Sequence, residues 1–106
     1  MNIKLMLAFS LLLPLAPSAL AAKGVGTVER IYPTDTRVNF RLKGDECKKD
    51  ANNGNTYWYY ELSDGAADMN SAMLLAAAAT GTVIKIGYPS CEPDKSQKIH
   101  YLYQDY

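Results

Sequence analysis

Few side chains in this sequence could take part in covalent or metal chemistry. The 106 residues contain two cysteines, Cys47 and Cys91, and one histidine, His100. The cysteines form no Cys-x-x-Cys motif, and His100 has no partner at metal-ligand spacing. The sequence also lacks a nucleophile-elbow serine, an HExxH motif and a glycine-rich phosphate loop. We therefore expect no metal, no other cofactor and no catalytic residue.

Three carboxylates stand close together in the sequence, at Glu61, Asp64 and Asp68. A hydrolytic pair would need two acids that face one cleft. These acids instead precede or open a predicted helix, where Ser63 or Asp64 can cap the first turn and an acidic side chain favours the helix dipole. We interpret them as cap residues, and we do not expect an enzyme.

Residues 57–62 predict an aromatic strand. Side chains alternate along a strand, and the more apolar set is assigned to the core: Trp58, Tyr60 and Leu62. Tyr57 and Tyr59 would then be exposed together, and with Tyr101 on the last strand they are the candidate ligand-binding residues. Exposed aromatic pairs serve as stacking platforms for sugar rings or as subunit interfaces. The alternative is that these tyrosines only pair with neighbouring strands of their own sheet.

Residues 1–21 have the features of a secretory signal peptide. Lys4 supplies a positive charge, Leu5–Leu15 is apolar, and residues 19–21 place small side chains at the cleavage positions. We expect a single mature domain, residues 22–106, that is periplasmic or secreted. Without Lys4 the charge is about −1, because ten basic residues remain against the eleven acidic ones. This charge argues against nucleic-acid binding and membrane insertion.

Export makes a disulfide between Cys47 and Cys91 the expected state of the two cysteines. The bridge would close a loop of about 44 residues and contribute about 4 kcal/mol in the chain-entropy model. In so small a domain, a staple of that strength can decide whether the chain folds. A redox or metal-binding pair is the alternative.

The mature chain predicts strands at 25–32, 37–43, 57–62, 82–88 and 98–103. The second strand alternates with period two, so Val38, Phe40 and Leu42 should face the core and Arg41 should face water. The polar segment 48–55, which includes Lys48, predicts an exposed loop.

A helix is predicted from Ala66 to Thr80, and Gly81 should end it. Its second half, residues 73–79, is apolar on every side, which is typical of a helix buried on more than one side. In a small domain this pattern indicates a partner, and four residues are assigned to an oligomer interface: Met69, Met73, Ala76 and Ala77. The alternative is that alanine is used only for its high helix propensity.

Three strands, a helix and two further strands form the order of the OB-fold, a small Greek-key barrel that binds sugars or oligonucleotides. We predict a mainly β chain with one helix, a five-stranded OB-fold barrel in the order β-β-β-α-β-β, and one disulfide. Export and near-neutral charge favour a saccharide or a protein as the ligand.

Several features together resemble the B subunits of the subtilase-cytotoxin and pertussis-like toxins. They are a signal peptide, a small OB domain with one disulfide, the helix–strand junction Ala79-Thr80-Gly81-Thr82-Val83-Ile84-Lys85-Ile86, and Cys91 after that strand. The resemblance implies a homopentameric ring with helices lining a central pore, an outer face that binds sialylated glycans, and a separate A subunit. The serine that contacts sialic acid in those subunits has no counterpart in this sequence.

Three functions are compatible with these features. The first is a non-catalytic, glycan-binding homo-oligomer that resembles a toxin B subunit. The second is an exported adaptor or inhibitor that binds a protein partner through the aromatic strand, either as a monomer or in a stable hetero-complex. The third, binding of single-stranded nucleic acid, is favoured by the fold and opposed by export and charge.

Overall fold

The computed structural model describes residues 22–49 and 54–106. The predicted signal peptide, residues 1–21, lies outside these ranges, as does the middle of the predicted loop. No helix within the described ranges is long and apolar enough to cross a membrane. The described residues form six strands and one helix: β1 (Ala22–Pro33), β2 (Arg37–Lys43), β3 (Trp58–Glu61), α1 (Ala67–Thr80), β4 (Ile84–Tyr88), β5 (Gln97–Lys98) and β6 (Tyr101–Tyr103).

The six strands form one sheet in the order β5-β3-β2-β1-β4-β6. Neighbouring strands are antiparallel, except that β3 and β5 are parallel. Although β5 and β6 stand at opposite ends of this order, only Ile99 and His100 separate them in the chain. The Ile99 N–H donates to the Tyr59 carbonyl on β3, and the His100 N–H donates to the Gly87 carbonyl on β4. The sheet therefore curls into a half-barrel whose two ends are joined by one short segment.

The predicted order of elements is confirmed at the level of a mainly β chain with one helix after the third strand. The last predicted strand, residues 98–103, is instead two short strands. The reason is that the chain changes its pairing partner between β5 and β6, which interrupts the ladder at residues 99–100. The described chain thus has six strands rather than the five expected.

Strand β1 is long enough to pair with two neighbouring strands. Its first half, residues 22–26, pairs with β4, and its second half, residues 27–33, pairs with β2. A Cβ atom on Gly26 would overlap the Lys43 carbonyl oxygen, so a larger residue would push the backbones apart. Glycine at this position therefore permits the close approach at which β1 passes from one neighbour to the other.

The core is built from side chains of β2, β3, β4 and α1, and the largest fully buried ones are Phe40, Trp58, Tyr60, Leu74, Ile84 and Ile86. The predicted inward orientation of Trp58 and Tyr60 is therefore confirmed. The same prediction for Leu62 is wrong, because this side chain is 48% exposed. Strand β3 ends at Glu61, and Leu62 already lies in a turn where its N–H donates to the Thr36 carbonyl.

The disulfide between Cys47 and Cys91 is confirmed, with the two Cα atoms 5.8 Å apart. It joins the turn that follows β2 to the loop between β4 and β5. Beside it lies a group of polar side chains that are almost fully buried, which we term the buried polar cluster: Arg41, Asp45, Lys48 and Gln97.

Lys48 is the centre of the buried polar cluster. Its Nζ donates to the carbonyls of Glu92 (2.9 Å) and Lys95 (2.6 Å) and to Oε1 of Gln97 (2.8 Å). An ammonium has three N–H donors, so each has an acceptor. Nζ also lies 4.3 Å from the centre of the Trp58 ring. Burial lowers the pKa of Lys48 from 10.5 to about 8, although nearby carboxylates oppose the change.

Two expectations for this region are wrong. Arg41 does not face water, since it is 4% exposed and its guanidinium donates to the carbonyls of Thr56 (2.7 Å) and Lys48 (3.2 Å). Lys48 does not belong to an exposed loop, since it is 2% exposed. Both differences have one cause: the segment after β2 folds back over the second face of that strand, so β2 is buried on both faces.

Helix α1 agrees with its predicted span to within one residue at the start. Gly81 ends the helix in the left-handed conformation (φ 73°), and its N–H donates to the Ala77 carbonyl at 2.8 Å. The predicted side-chain cap is wrong, because Ala66 occupies the N-cap position. The carboxylate of Asp64 instead accepts from the Glu61 N–H at 3.0 Å and closes the turn before the helix.

Candidate functional site

Helix α1 has apolar side chains on both of its sides. The side that packs on the sheet buries Ala67, Asn70, Leu74 and Ala77. The opposite side, which we term the outer face of α1, is exposed along its whole length and consists of Met69, Ala72, Leu75, Ala76 and Ala79. The Met69 side chain is 66% exposed and the Leu75 side chain 60%. Asp68, the only charged residue in the helix, is also exposed on this side, in the first turn. Beyond the first turn this face is an exposed apolar patch of the kind that marks protein interfaces.

An apolar cleft of about 200 Å³ continues the outer face of α1 toward the sheet. Its walls include Ile31 and Pro33 of β1, Val38 of β2, and Leu74 and Leu75 of the helix. Leu75 belongs to both features, so the helix face and the cleft form one continuous apolar surface.

The four residues predicted for an oligomer interface do not share one environment. Met69 and Ala76 are exposed, and Met73 is half-buried against the core. Ala77 is fully buried in the core of its own chain, so it presents no surface to a partner, and its assignment to an interface is wrong. Leu75 takes its place on the exposed side. The sequence could have indicated this, because Ala67, Leu74 and Ala77 share one helical face that excludes Leu75.

The second candidate surface lies on the outer side of β1, β2 and β3. We term it the aromatic–arginine surface, and it consists of Arg30, Tyr32, Arg37, Tyr57 and Tyr59. The rings of Tyr32 and Tyr57 are 5.6 Å apart. Nη1 of Arg30 donates to the Tyr57 hydroxyl at 2.9 Å, and the Arg37 guanidinium lies 3.9 Å above the centre of the Tyr59 ring. The surface therefore combines aromatic rings with two cations, which the sequence reasoning had not connected to these tyrosines.

The three tyrosines predicted to bind a ligand lie in two places. Tyr57 and Tyr59 belong to the aromatic–arginine surface and are half-buried. Tyr101 lies on β6, is 43% exposed, and has its ring 5.8 Å from that of Tyr103. It also covers Gly87 so closely that a Cβ atom there would overlap the Tyr101 ring. Tyr101 is therefore held by β4 and β6, apart from the contacts that hold the other two.

A third feature is a polar cleft of about 440 Å³ between the start of α1 and the segment that joins the sheet ends. Its lining includes Asp64, Asn70, Pro89, Lys98, Ile99 and His100. From the sequence, Asp64 is a candidate helix cap and His100 has no partner at metal-ligand spacing. No local pattern indicates this cleft, because its walls come from three separate segments of the chain.

An ion pair fixes one wall of the polar cleft. Nζ of Lys98 lies 3.2 Å from Oδ1 of Asp64 and 3.6 Å from Oε1 of Glu61. The Glu61 backbone N–H, followed by Lys98, lowers the pKa of Asp64, and the Asp64 carboxylate raises the pKa of Lys98. Both side chains are therefore charged at neutral pH and neutralise each other.

The described ranges contain no group of three or more histidine, cysteine or acidic side chains that could hold a metal ion. Both cysteines of the chain are in the disulfide. In comparisons with protein-family models, with curated proteins and with solved structures, the chain has no match. The three surfaces offer apolar contact, aromatic stacking and hydrogen bonding.

Proposed function

We propose that this chain is an exported, non-catalytic binding subunit that assembles with copies of itself and binds glycans, in the manner of a toxin B subunit. The outer face of α1 is the observation that carries the proposal. A helix that has an apolar side against its own sheet and a second apolar side in water has one side more than a monomer can cover.

The assembly we propose is a homopentamer in which copies of α1 surround a common axis. Alanine at positions 72, 76 and 79 allows helix backbones to approach closely, and Met69 and Leu75 supply larger apolar contacts. The apolar cleft beside Leu75 offers a recess for a side chain of the neighbouring copy. A ring is a closed assembly, so each copy contributes and receives the same contacts.

The finer fold that we propose is the OB-fold barrel. In this interpretation β5 and β6 are the two halves of one final strand, residues 97–103, with an irregularity at Ile99 and His100. The parallel pairing of β5 with β3 and the antiparallel pairing of β6 with β4 support it. The barrel would then have five strands, in the arrangement that often binds saccharides.

We place the glycan on the aromatic–arginine surface. Sugar rings stack on aromatic faces, and Tyr32, which is 51% exposed, and Tyr57 offer such faces. Arg30 and Arg37 would pair with the carboxylate of an acidic sugar, such as the terminal sialic acid of a host glycan. Tyr101 is retained as a second, separate candidate.

A multivalent glycan array tests this proposal. The mature, oxidised protein should retain a subset of sialylated glycans, and Tyr57→Ala should weaken that retention while Tyr101→Ala leaves it unchanged. The reverse result would move the site to β6. Failure to retain any glycan in multivalent format would reject the glycan-binding function.

Export is part of the proposal and has its own test. The predicted signal peptide and the disulfide support it, since disulfides persist in oxidising compartments. In the native cell, the mature protein should begin at Ala22 or within one residue of it and should be found outside the cytoplasm. Co-purification from that compartment would also reveal a separate A subunit.

The alternative function is an exported adaptor or inhibitor that binds a different protein through its aromatic strand. The apolar cleft of about 200 Å³ favours it as well, because such a recess fits a side chain of any protein partner. This alternative predicts a monomer when the protein is purified alone and a stable hetero-complex when it is captured from the native cell envelope.

A further inference from the structure

The polar cleft is lined by one amide side chain, that of Asn70, and within the described residues this amide has no hydrogen-bond partner. The residue is 8% exposed, on the side of α1 that packs on the sheet. Its backbone N–H donates to the Ala66 carbonyl, but within the described part of the chain its side-chain amide makes no hydrogen bond. In the described part of the chain, the side-chain polar atoms that are both fully buried and without a hydrogen bond belong to Arg41 and Thr56, not to Asn70. The Asn70 amide therefore opens into the cleft.

Most buried polar side chains find a hydrogen-bond partner within the protein. The Asn70 amide instead faces the cleft, where water or a ligand can supply its hydrogen bonds. An amide offers two donors and one acceptor oxygen, which match the hydroxyl groups of a polyhydroxylated ligand.

The charges around the cleft favour a neutral ligand. The one cation of the lining, Lys98, is already bound to Asp64 and lies close to Glu61. An anion would have to compete with two carboxylates for Lys98, and a cation would meet its ammonium. A neutral ligand avoids both costs and can still accept a hydrogen bond from Lys98 or donate one to Asp64.

The volume of the cleft and the apolar residues at its base narrow the class of ligand further. Its volume of about 440 Å³ is within the usual range for small-molecule sites. Ile99, which is 5% exposed, and Pro89 give it an apolar floor. A ligand that has hydroxyl groups on its edge and C–H groups on its face fits both features, and a sugar ring has this composition.

We propose that the polar cleft is a binding site for a single neutral hexopyranose unit, held by the Asn70 amide and by the Asp64–Lys98 pair over the floor at Ile99. The choice of carbohydrate rests on the proposed function, but the site is distinct from the aromatic–arginine surface. A glycan could thus be contacted at two places, by an acidic sugar at one and by a neutral sugar at the other.

Titration of the mature, oxidised protein with neutral monosaccharides, followed by two-dimensional NMR, tests the proposal. The probes are the methyl glycosides of glucose, galactose, mannose and N-acetylglucosamine. At least one of them should produce saturable shifts in the Asn70 side-chain amide and in the backbone amides of Ile99 and His100. The variant Asn70→Leu keeps a similar volume and loses the hydrogen bonds, so it should weaken that binding about tenfold or more.

Two further variants keep the test decisive. If Asn70→Leu does not fold, as judged by a loss of dispersion in its spectrum, His100→Ala at the rim replaces it and should reduce the affinity severalfold. Asn55→Leu is the matched control, because it makes the same substitution at an exposed asparagine outside both proposed sites, and it should leave the shifts and the affinity unchanged.

The outcomes separate this inference from the proposed function. Absence of shifts around Asn70 with all four glycosides would overturn the neutral-sugar site, as would binding that survives Asn70→Leu unchanged. Shifts confined to Tyr57 and Tyr59 would overturn it too, while supporting a glycan site elsewhere. Retention of sialylated glycans on the array depends on neither result, so the two proposals can fail independently.

Discussion

Apolar side chains are usually buried in a protein and charged side chains are usually exposed. The outer face of α1 and the buried polar cluster depart from this rule in opposite ways. On the outer face, Met69 and Leu75 are exposed although they are apolar. In the cluster, Lys48 and Arg41 are buried although they are charged. Each departure from the rule costs free energy unless something compensates it.

The difference lies in where the compensation is found. Lys48 has an acceptor for each N–H within its own chain, and the disulfide holds the segments that provide them. No segment within residues 22–49 and 54–106 covers the outer face of α1. The comparison indicates that the cluster stabilises the single chain, whereas the helix face is the surface that we propose another molecule covers. The predictions below test each half of this statement.

Removal of the disulfide should have the largest effect on folding. The double variant Cys47→Ala/Cys91→Ala releases a loop of about 44 residues, and its free energy of unfolding should fall by about 4 kcal/mol. Urea unfolding followed by the fluorescence of Trp58, which lies beside the cluster, measures this change. A loss smaller than about 1 kcal/mol would mean that the cluster holds its segments without the bridge.

Substitution of the central lysine should have the next largest effect. Lys48→Met leaves the buried Lys95 carbonyl without a donor and removes one of the two donors to the Glu92 carbonyl and to Oε1 of Gln97. The free energy of unfolding should therefore fall by about 2–3 kcal/mol. Lys49→Met is the matched control, since Lys49 is exposed and, among the described residues, pairs only with Glu46 at the surface. The control should change stability by less than about 0.5 kcal/mol. Equal effects of the two variants would contradict the structural role of the cluster.

The ionisation of Lys48 gives a pH-dependent effect on stability with a definite sign. Its folded pKa of about 8 lies below the value of 10.5 of a free lysine, so between these pH values the unfolded chain binds the proton more readily. The cost of burying the charge is therefore present at neutral pH and is relieved as the pH rises through this window. The stability of the wild type relative to Lys48→Met should accordingly rise from about pH 8 to pH 10.5. Urea unfolding of both proteins measures the difference, and a constant or falling difference would contradict the assignment.

Acidic substitutions on the outer face of α1 should have the smallest effect on folding stability but should abolish assembly. Met69→Glu/Leu75→Glu places two acids on exposed positions, so the free energy of unfolding of the single chain should change by less than about 0.5 kcal/mol. Assembly should be lost, because apolar contact with the neighbouring copy would be replaced by charge repulsion. Leu62→Glu is the matched control, since Leu62 is 48% exposed and lies outside the helix. Sedimentation velocity compares the three proteins, and an assembled Met69→Glu/Leu75→Glu variant would exclude this face as the interface.

The features that the sequence predicted well are those set by local patterns. Alternation oriented Trp58 and Tyr60, Gly81 marked the end of α1, and two cysteines in a predicted exported chain indicated the disulfide. Leu62 was misassigned because alternation does not reveal where a strand ends. In each correct case the residues that determine the feature lie next to one another or have only one possible partner.

The features that the sequence did not reveal depend on segments far apart in the chain. Arg41 and Lys48 read as exposed because nothing local shows that a later loop supplies their acceptors. The polar cleft has the same origin, with Asn70 and His100 brought together only by the fold. In α1 the cause is different: a helix with apolar residues on every side has no polar face to orient it, so Ala77 was placed at an interface and Leu75 was not.

The mass of the mature, oxidised protein in solution tests the central claim most directly. Light scattering after size exclusion gives this mass without a standard and without a ligand. We predict a mass near five protomers that stays constant on dilution. A mass of one protomer at every concentration would contradict the account, because the outer face of α1 would then remain uncovered in the isolated protein.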